Sequence, residues 1–232
     1  MNSDKVAGAA LISVITVVYN AAKQLENTIK SVINQSSSNL NFIIIDGGST
    51  DGTIDVIKKY EKYIHYWVSE PDAGIYDAMN KGWAFAEPNS YILFLGAGDL
   101  LLNLPVSGSF KKSEIIAGRV QVGSKMVYQP KVDFRLKLGN TLHHQALMIK
   151  KSIYLSPPFD LHYPTYADFD FNQRLFKAGH KIYIDPFFKS YALDGGVSTK
   201  FDKNQSLKIV EQNFGIVLRF IASCYYLLRN EV

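Results

Sequence analysis

One cysteine, Cys224, among 232 residues excludes an internal disulfide and the multi-cysteine zinc sites, which favours a reducing compartment and a chemistry without zinc. Blocks of like charge are missing as well. The 25 Lys and Arg and 21 Asp and Glu are spread along the chain, so the net charge of +4 argues against a nucleic-acid-binding arm and is weak evidence for an anionic ligand or an anionic membrane surface. Long apolar runs do not occur. Val6 to Val18 has only Lys5 as a preceding basic residue and no clear cleavage site after it, and reads as a loose start plus a buried first strand rather than a secretory signal. Phe214 to Leu228 is interrupted by Arg219 and falls short of the roughly 20 apolar residues of a membrane span. Neither G-x-G-x-x-G after a first strand nor G-x-x-x-x-G-K-[ST] is found, which removes the usual dinucleotide and P-loop readings.

What is present is an alternation. Leu11 to Tyr19 is β-branched and suits a strand buried on both faces, and Leu25, Ile29, Val32 and Ile33 recur at helical spacing after it. The cycle repeats with Phe42 to Ile45 as a strand, Gly52 to Tyr63 as a helix and Ile64 to Val68 as a strand. A helix over about Gly74 to Ala86 and a strand at Tyr91 to Leu95 follow. This rhythm predicts an α/β fold with a mostly parallel sheet covered on both faces. Past Asp99 it changes to short β-like pieces near Ile115 to Val120 and Lys125 to Val132, then a helix from Tyr166 to Ala178.

Ligands of such sheets bind outside the carboxyl ends of the strands. The positions there are polar: Tyr19-Asn20, then Asp46 to Gly52, Ser69 to Gly74, and Gly96-Ala97-Gly98-Asp99. Turn and cap chemistry accounts equally for any single one of these loops. Asp46 stands apart because it directly follows Ile43-Ile44-Ile45, and from a buried strand end it would point into the crevice and accept hydrogen bonds from a base or ribose.

The segments ISVITVVYN, IIIDGGSTDGT, SEPDAGIYDAMNKG and ILFLGAGD, in that order and spacing, resemble the nucleotide-binding half of family 2 glycosyltransferases with the GT-A fold. The likeness is close over Ile12 to Leu101 and looser beyond, and is greatest to bacterial enzymes that build O-antigen, capsule or exopolysaccharide units. It implies a Rossmann-like nucleotide-sugar half over 1–105, an acceptor-binding and catalytic-base half over 106–200, and a C-terminal helical segment over 201–232. It also implies that Asp46 contacts the nucleobase, with Val18, Tyr19 and Asn20 as the neighbouring wall and Asp72 near the ribose or base. Gly74 and Lys81 fall in the motif flanking the donor, where Lys81 is either a phosphate contact or a solvated helix position. Gly98 and Asp99 end the acidic motif that holds Mn2+ or Mg2+ in this family. Here that motif keeps one carboxylate, Asp99, which suffices chemically if phosphate oxygens and water complete the ion's shell.

Tyr166 to Phe171 resembles the family's E-D motif, with Ala167 in place of the Glu and Asp168 in the position of the general base. Asp168 and Asp170 lie about 200° apart around a helix, so they cannot serve one site equally, and Asp170 is left as a cap or acceptor contact. His144 and Gln145 are marked as near the acceptor or diphosphate, and Asp194 to Ser198 resembles a late loop that closes over donor phosphates, with Ser198 its polar end.

The function implied is an inverting, metal-dependent hexosyltransferase that takes a nucleotide sugar, UDP-linked by default, to a hydroxyl of a glycan or polyprenyl-linked acceptor. It would act in the cytoplasm or at the inner face of the plasma membrane. The alternative is a catalytically silent nucleotide-sugar-binding or assembly subunit, motivated by the reduced acidic motif and by Ala167. Leu207 to Leu228 has apolar residues at spacings that allow a broad helix face, which serves the protein's own body, a dimer partner or a membrane interface.

Overall fold

The structure, a computed structural model, describes residues 10–37, 39–124, 126–195 and 201–228. Its frame is a nine-stranded sheet. β1 (Ile12–Val18), β2 (Leu40–Asp46), β3 (Tyr66–Ser69) and β4 (Tyr91–Gly96) are parallel in the order β3-β2-β1-β4. α1 (Ala22–Ile33), α2 (Thr53–Tyr60) and α3 (Ile75–Phe85) connect them. Every residue of β1 is buried, as a strand covered on both faces requires. Alternation divides the core: Ile15, Val17, Ile43, Ile45, Ile92 and Phe94 join the cluster containing Met79 and Trp83 of α3. Val14, Phe42, Ile44, Leu93 and Leu95 join the cluster containing Leu25 and Ile29 of α1 and Ile57 of α2. Gly82 lets α3 lie close on the sheet, because a Cβ there would collide with Cγ2 of Ile15.

The second half extends the same sheet. β8 (Leu147–Lys150) pairs antiparallel with β4, β6 (Ile115–Val122) follows, and β9 (Ile182–Ala192) lies parallel to β6. β7 (Met126–Tyr128) forms a hairpin with β6. β5 (Leu100–Asn103) pairs with the far end of β9, Leu100 facing Tyr191, so the chain just after Asp99 is stitched to the end of β9. α4 (Ala167–Lys177) fills the predicted helix with its ends trimmed.

Two sequence expectations change. The stretch from Leu207 to Leu228 does not form one helix face but two helices, α5 (Lys203–Phe214) and α6 (Ile216–Leu228). Gly215 separates them with φ +86°, a left-handed conformation that favours glycine. The β-like piece placed at Lys125 to Val132 shrinks to Met126–Tyr128. Of the Val6 to Val18 stretch, the strand is β1 and residues 1–9 lie outside the described residues. Among the described residues no helix is long and apolar enough to cross a membrane.

Candidate active site

The carboxyl ends of β1 and β4 and the loop that follows β3 form one wall of a cavity of about 850 Å³. Val18, Tyr19, Asp72, Gly74 and Asp99 line it on that side, and His144, Gln145, Tyr166 and Asp168 line it on the other. Tyr19, just past β1, is 65% exposed. Asn20 takes a left-handed φ of 47°, its N–H donates to Ser49 Oγ at 2.7 Å, and its Oδ1 accepts from the Thr50 N–H at 2.8 Å. Asn20 thus clamps the ends of β1 and β2 together without lining the cavity. Gly47 makes room for Asp72, whose Oδ2 lies 2.5 Å from where a Cβ at Gly47 would sit. Asp72 Oδ1 accepts from the Gly74 N–H at 2.8 Å, at the entrance to α3.

Asp46 is placed otherwise than its position after the isoleucines suggests. It is fully buried, and its Oδ2 accepts from the N–H groups of Gly48 and Ser49 and from Ser69 Oγ. It braces the loop after β2, and its other oxygen is sealed without a hydrogen-bond partner among the described residues. Lys81 also stands off the cavity wall, its ammonium held by Glu70 at 2.9 Å and by the Pro71 carbonyl at 2.9 Å. Gly98, with φ +104°, packs under Leu193 and donates its N–H to Thr28 Oγ1 at 2.8 Å.

Asp99 is buried at the cavity wall. Its Oδ2 accepts from the Gly96 N–H and its Oδ1 from the Leu193 N–H, both at 2.9 Å. Burial pushes its carboxyl above the usual carboxylate range, against the Leu193 N–H, the charge of His144, the Gly96 N–H and the Gln145 side chain. No lysine or arginine pairs with it among the described residues. A divalent cation fits such a site. A carboxylate offers about four lone-pair positions and Asp99 faces three donors, which leaves one oxygen position open at the cavity wall. Among the described residues no three His, Cys, Asp or Glu side chains could hold an ion together. Asp99 would therefore be a single protein ligand to such an ion rather than part of a cluster.

Across the cavity Asp168 opens α4 and is nearly buried. Its Oδ1 accepts from Tyr76 Oη at 3.0 Å and from the Phe169 N–H at 2.8 Å, and its Oδ2 accepts from Asn140 Nδ2 at 3.2 Å and from His144 Nδ1 at 3.3 Å. Burial alone would raise this carboxyl, yet the donors and the imidazole charges hold it below the usual range. The same pairing, with the more distant charge of Asp99, outweighs burial at His144 and holds its imidazole above the ordinary value. His143 next to it is driven the other way, down to about 4 by burial, with its ring 4.1 Å from that of Tyr128. Asp170 faces away, its Oδ2 on Arg174 Nε at 2.8 Å and its Oδ1 on Asn213 Nδ2 at 2.9 Å, in keeping with the angular separation around α4. Ser198 lies outside the described residues.

Tyr76 and Asn140 hold Asp168 and were not singled out from the sequence. Tyr76 lies in the quoted SEPDAGIYDAMNKG segment, which was a signal; Asn140 sits in a loop between elements and carries none. Tyr128, Phe201, Tyr225 and Tyr226, from three separate stretches of chain, also line the cavity, with Phe201 packed edge-on against Tyr226.

Comparison with known proteins fits this geometry. Residues 13–102 match the family described as Glycosyl transferase family 2. Over 230 residues the chain is 28% identical to the PGL/p-HBAD biosynthesis glycosyltransferase of Mycobacterium bovis, covering 92% of this chain and 89% of that protein. Among solved structures, S. aureus TarS superposes with a TM-score of 0.69 at 15% identity, covering 94% of this chain and 43% of TarS, so the chain spans less than half of that protein's length. A shorter TarS, residues 1–349 with UDP, gives 0.67 at 16% identity over 88% of this chain and 65% of that one. The mannosyltransferase PcManGT from Pyrobaculum calidifontis, solved with GDP-Man and Mn2+, gives 0.63 at 15% identity over 90% of this chain and 64% of that one. The fold is the α/β arrangement of GT-A type expected from the sequence.

Proposed function

We propose, from the premise that the chain belongs to glycosyltransferase family 2, that it moves a hexose-type sugar from a nucleotide-sugar donor, a UDP-sugar first among them, to a hydroxyl of a glycan or lipid-linked acceptor with inversion at the anomeric carbon. The observation that carries this reading is that Asp99 and the Asp168–His144 pair line one cavity, the first on the nucleotide side of the sheet and the second across from it. Inverting transfer asks for that division: charge neutralisation where the diphosphate departs, and a proton acceptor where the hydroxyl attacks.

On this reading Tyr19, Val18 and Asp72 receive the nucleoside, and the entrance of α3 at Gly74 lies beside the phosphates. Asp99 is the residue that would hold Mn2+ or Mg2+, and such an ion neutralises the leaving diphosphate. The Asp168–His144 pair takes the acceptor's proton. The UDP bound by TarS and the GDP-Man and Mn2+ bound by PcManGT support a nucleotide sugar and a divalent ion. The motif likeness supports a place in bacterial surface-glycan synthesis.

A thermal-shift series with UDP-, GDP- and dTDP-sugars, with and without Mn2+, tests the donor assignment. At about a hundredfold excess over Kd a cognate donor should add about 3 kcal/mol, or about 5 to 10 °C for a chain of this size. Mn2+ should enlarge the shift. No response to any nucleotide sugar under either condition would remove the reading.

A further inference from the structure

Both carboxylate oxygens of Asp168 are already engaged by donors. An ionised carboxylate presents about four lone-pair sites. Four donors converge on them: the Tyr76 hydroxyl and the Phe169 N–H on Oδ1, and Asn140 Nδ2 and His144 Nδ1 on Oδ2, the single Tyr76 hydrogen being shared with the Thr165 carbonyl at 2.9 Å. The side chain is 12% exposed, against 20% for His144. A hydroxyl that approached Asp168 would have to displace one of these donors. Asn140 is itself held by Asn172 Nδ2, which donates to Asn140 Oδ1 at 3.0 Å, and the Phe169 N–H is fixed by the backbone at the start of α4.

His144 is arranged the other way. It lines the cavity, and its Nδ1 is turned inward onto Asp168. Its Nε2 has no hydrogen-bond partner among the described residues and is not sealed from solvent. With Nδ1–H donating to the carboxylate, the lone pair of a neutral ring sits on Nε2. The short helical turn of His144–Ala146, placed directly before β8, fixes the ring's backbone on the sheet.

We infer that His144 is the catalytic base of the transfer, and that Asp168, fixed by Tyr76 and Asn140, is a positioning residue that sets its tautomer and orientation. The assignment rests on the transferase reading above and departs from the expectation that Asp168 itself takes the proton. In the step, the acceptor O–H bond breaks and its proton passes to Nε2 of His144. The acceptor oxygen forms the bond to the anomeric carbon as the bond from that carbon to the donor phosphate breaks, and its electron pair leaves with the nucleoside diphosphate. The imidazolium, stabilised by Asp168, then returns its proton to solvent. The charged and titratable groups facing the ring are Asp168 of α4, Asp99 after β4 and His143 of its own turn, with the Tyr76 hydroxyl behind Asp168.

Two measurements test this. The first is NMR of the full chain labelled with 15N-histidine, which reports the tautomer without any substrate. Neutral His144, identified by its loss in His144→Gln, is expected in the Nδ1–H form, reverting to the usual Nε2–H form in Asp168→Asn. An Nε2–H ring in the native protein would overturn the inference. The second is release of nucleoside diphosphate to water from UDP-glucose, UDP-GlcNAc or GDP-mannose, whichever the chain binds, followed against pH. His144→Gln keeps a donor for Asp168 but has no basic lone pair, and should lower kcat by about 100-fold or more with KM little changed, while removing the acid limb of the profile. If His144→Gln keeps more than about a tenth of kcat with the acid limb in place, and Asp168→Asn is inactive, Asp168 is the base and the inference fails. A native protein that binds no UDP-, GDP- or dTDP-sugar, with or without Mn2+, contradicts the transferase reading instead, and the tautomer still decides whether the His144–Asp168 pair is built as inferred.

Discussion

Asp99 Oδ1 accepts the backbone N–H of Leu193 at 2.9 Å, a contact between the end of β4 and a residue 94 positions later, just past β9. One carboxylate therefore both shapes the cavity wall and offers the position where an ion would bind. Asp99→Asn keeps the volume and an acceptor for one backbone N–H but loses the charge. Titration calorimetry of a UDP-sugar with and without Mn2+ is expected to show that the ion strengthens binding to the native chain, and that this gain falls by about tenfold or more in the variant, a loss of about 1.4 kcal/mol or more. An equal Mn2+ effect in both proteins would move the ion elsewhere.

Gly82 is required by the contact of α3 with β1. Its missing Cβ is the space occupied by Cγ2 of Ile15, a fully buried residue in a close-packed layer. Although alanine is the better helix former, Gly82→Ala should cost about 1–3 kcal/mol because the layer must part to admit it. Urea denaturation would show this as a lower midpoint at unchanged slope. A stabilised variant would mean that α3 lies further from the sheet than described.

Asp170 belongs to the body of the protein rather than to its chemistry. Its carboxylate, paired with Arg174 and Asn213, is nearly sealed from solvent. Asp170→Ala leaves Arg174 without its carboxylate, and since that guanidinium is partly exposed the loss should be about 2–3 kcal/mol of stability. Donor affinity, measured below the variant's melting temperature, should stay within about twofold of native, a change of about 0.4 kcal/mol. A selective loss of turnover with intact stability would place Asp170 in the site.

His143 should make the fold sensitive to acid. Its imidazole is held down to about 4 from 6.5, so the buried neutral ring favours the native state above about pH 6.5, and this contribution is lost as pH falls through the window from 6.5 towards 4. Allowing for the ring's partial exposure, about 2 kcal/mol should disappear across that window. His143→Phe keeps a ring against Tyr128 and should flatten the dependence of stability on pH by close to one proton. An unchanged slope would show that other groups carry it.

The parallel half was legible because its signals are local. Buried strands of β-branched residues and amphipathic helices reveal themselves within a dozen positions, and β1 to β4 fall close to the expected ranges. β9 was not legible: Pro186 and Lys189 interrupt it, and its burial does not alternate cleanly. It is a strand because β6 and β5 pair with it, which no local pattern encodes. Gly215 was visible as a letter, but its helix-breaking effect depends on a φ that only the packing of α5 on α6 selects. Asp46 shows the opposite failure, since position after a strand placed it correctly while the loop it ties down took up its carboxylate. The saturation of Asp168 depends on donors 92, 28, 24 and 1 positions away, so its sequence neighbourhood suggested the acid but not the group it holds.

The most direct test of glycosyl transfer in this cavity is to measure, for Asp168→Asn, donor affinity and the single-turnover rate of nucleoside diphosphate release side by side with the native chain. The rate is expected to fall by about 100-fold or more, because the unit that takes the proton is lost or misoriented, while donor affinity stays within about threefold. Release at the native rate, or a rate lost only in step with donor binding, would contradict the assignment of chemistry to the face of the cavity opposite Asp99.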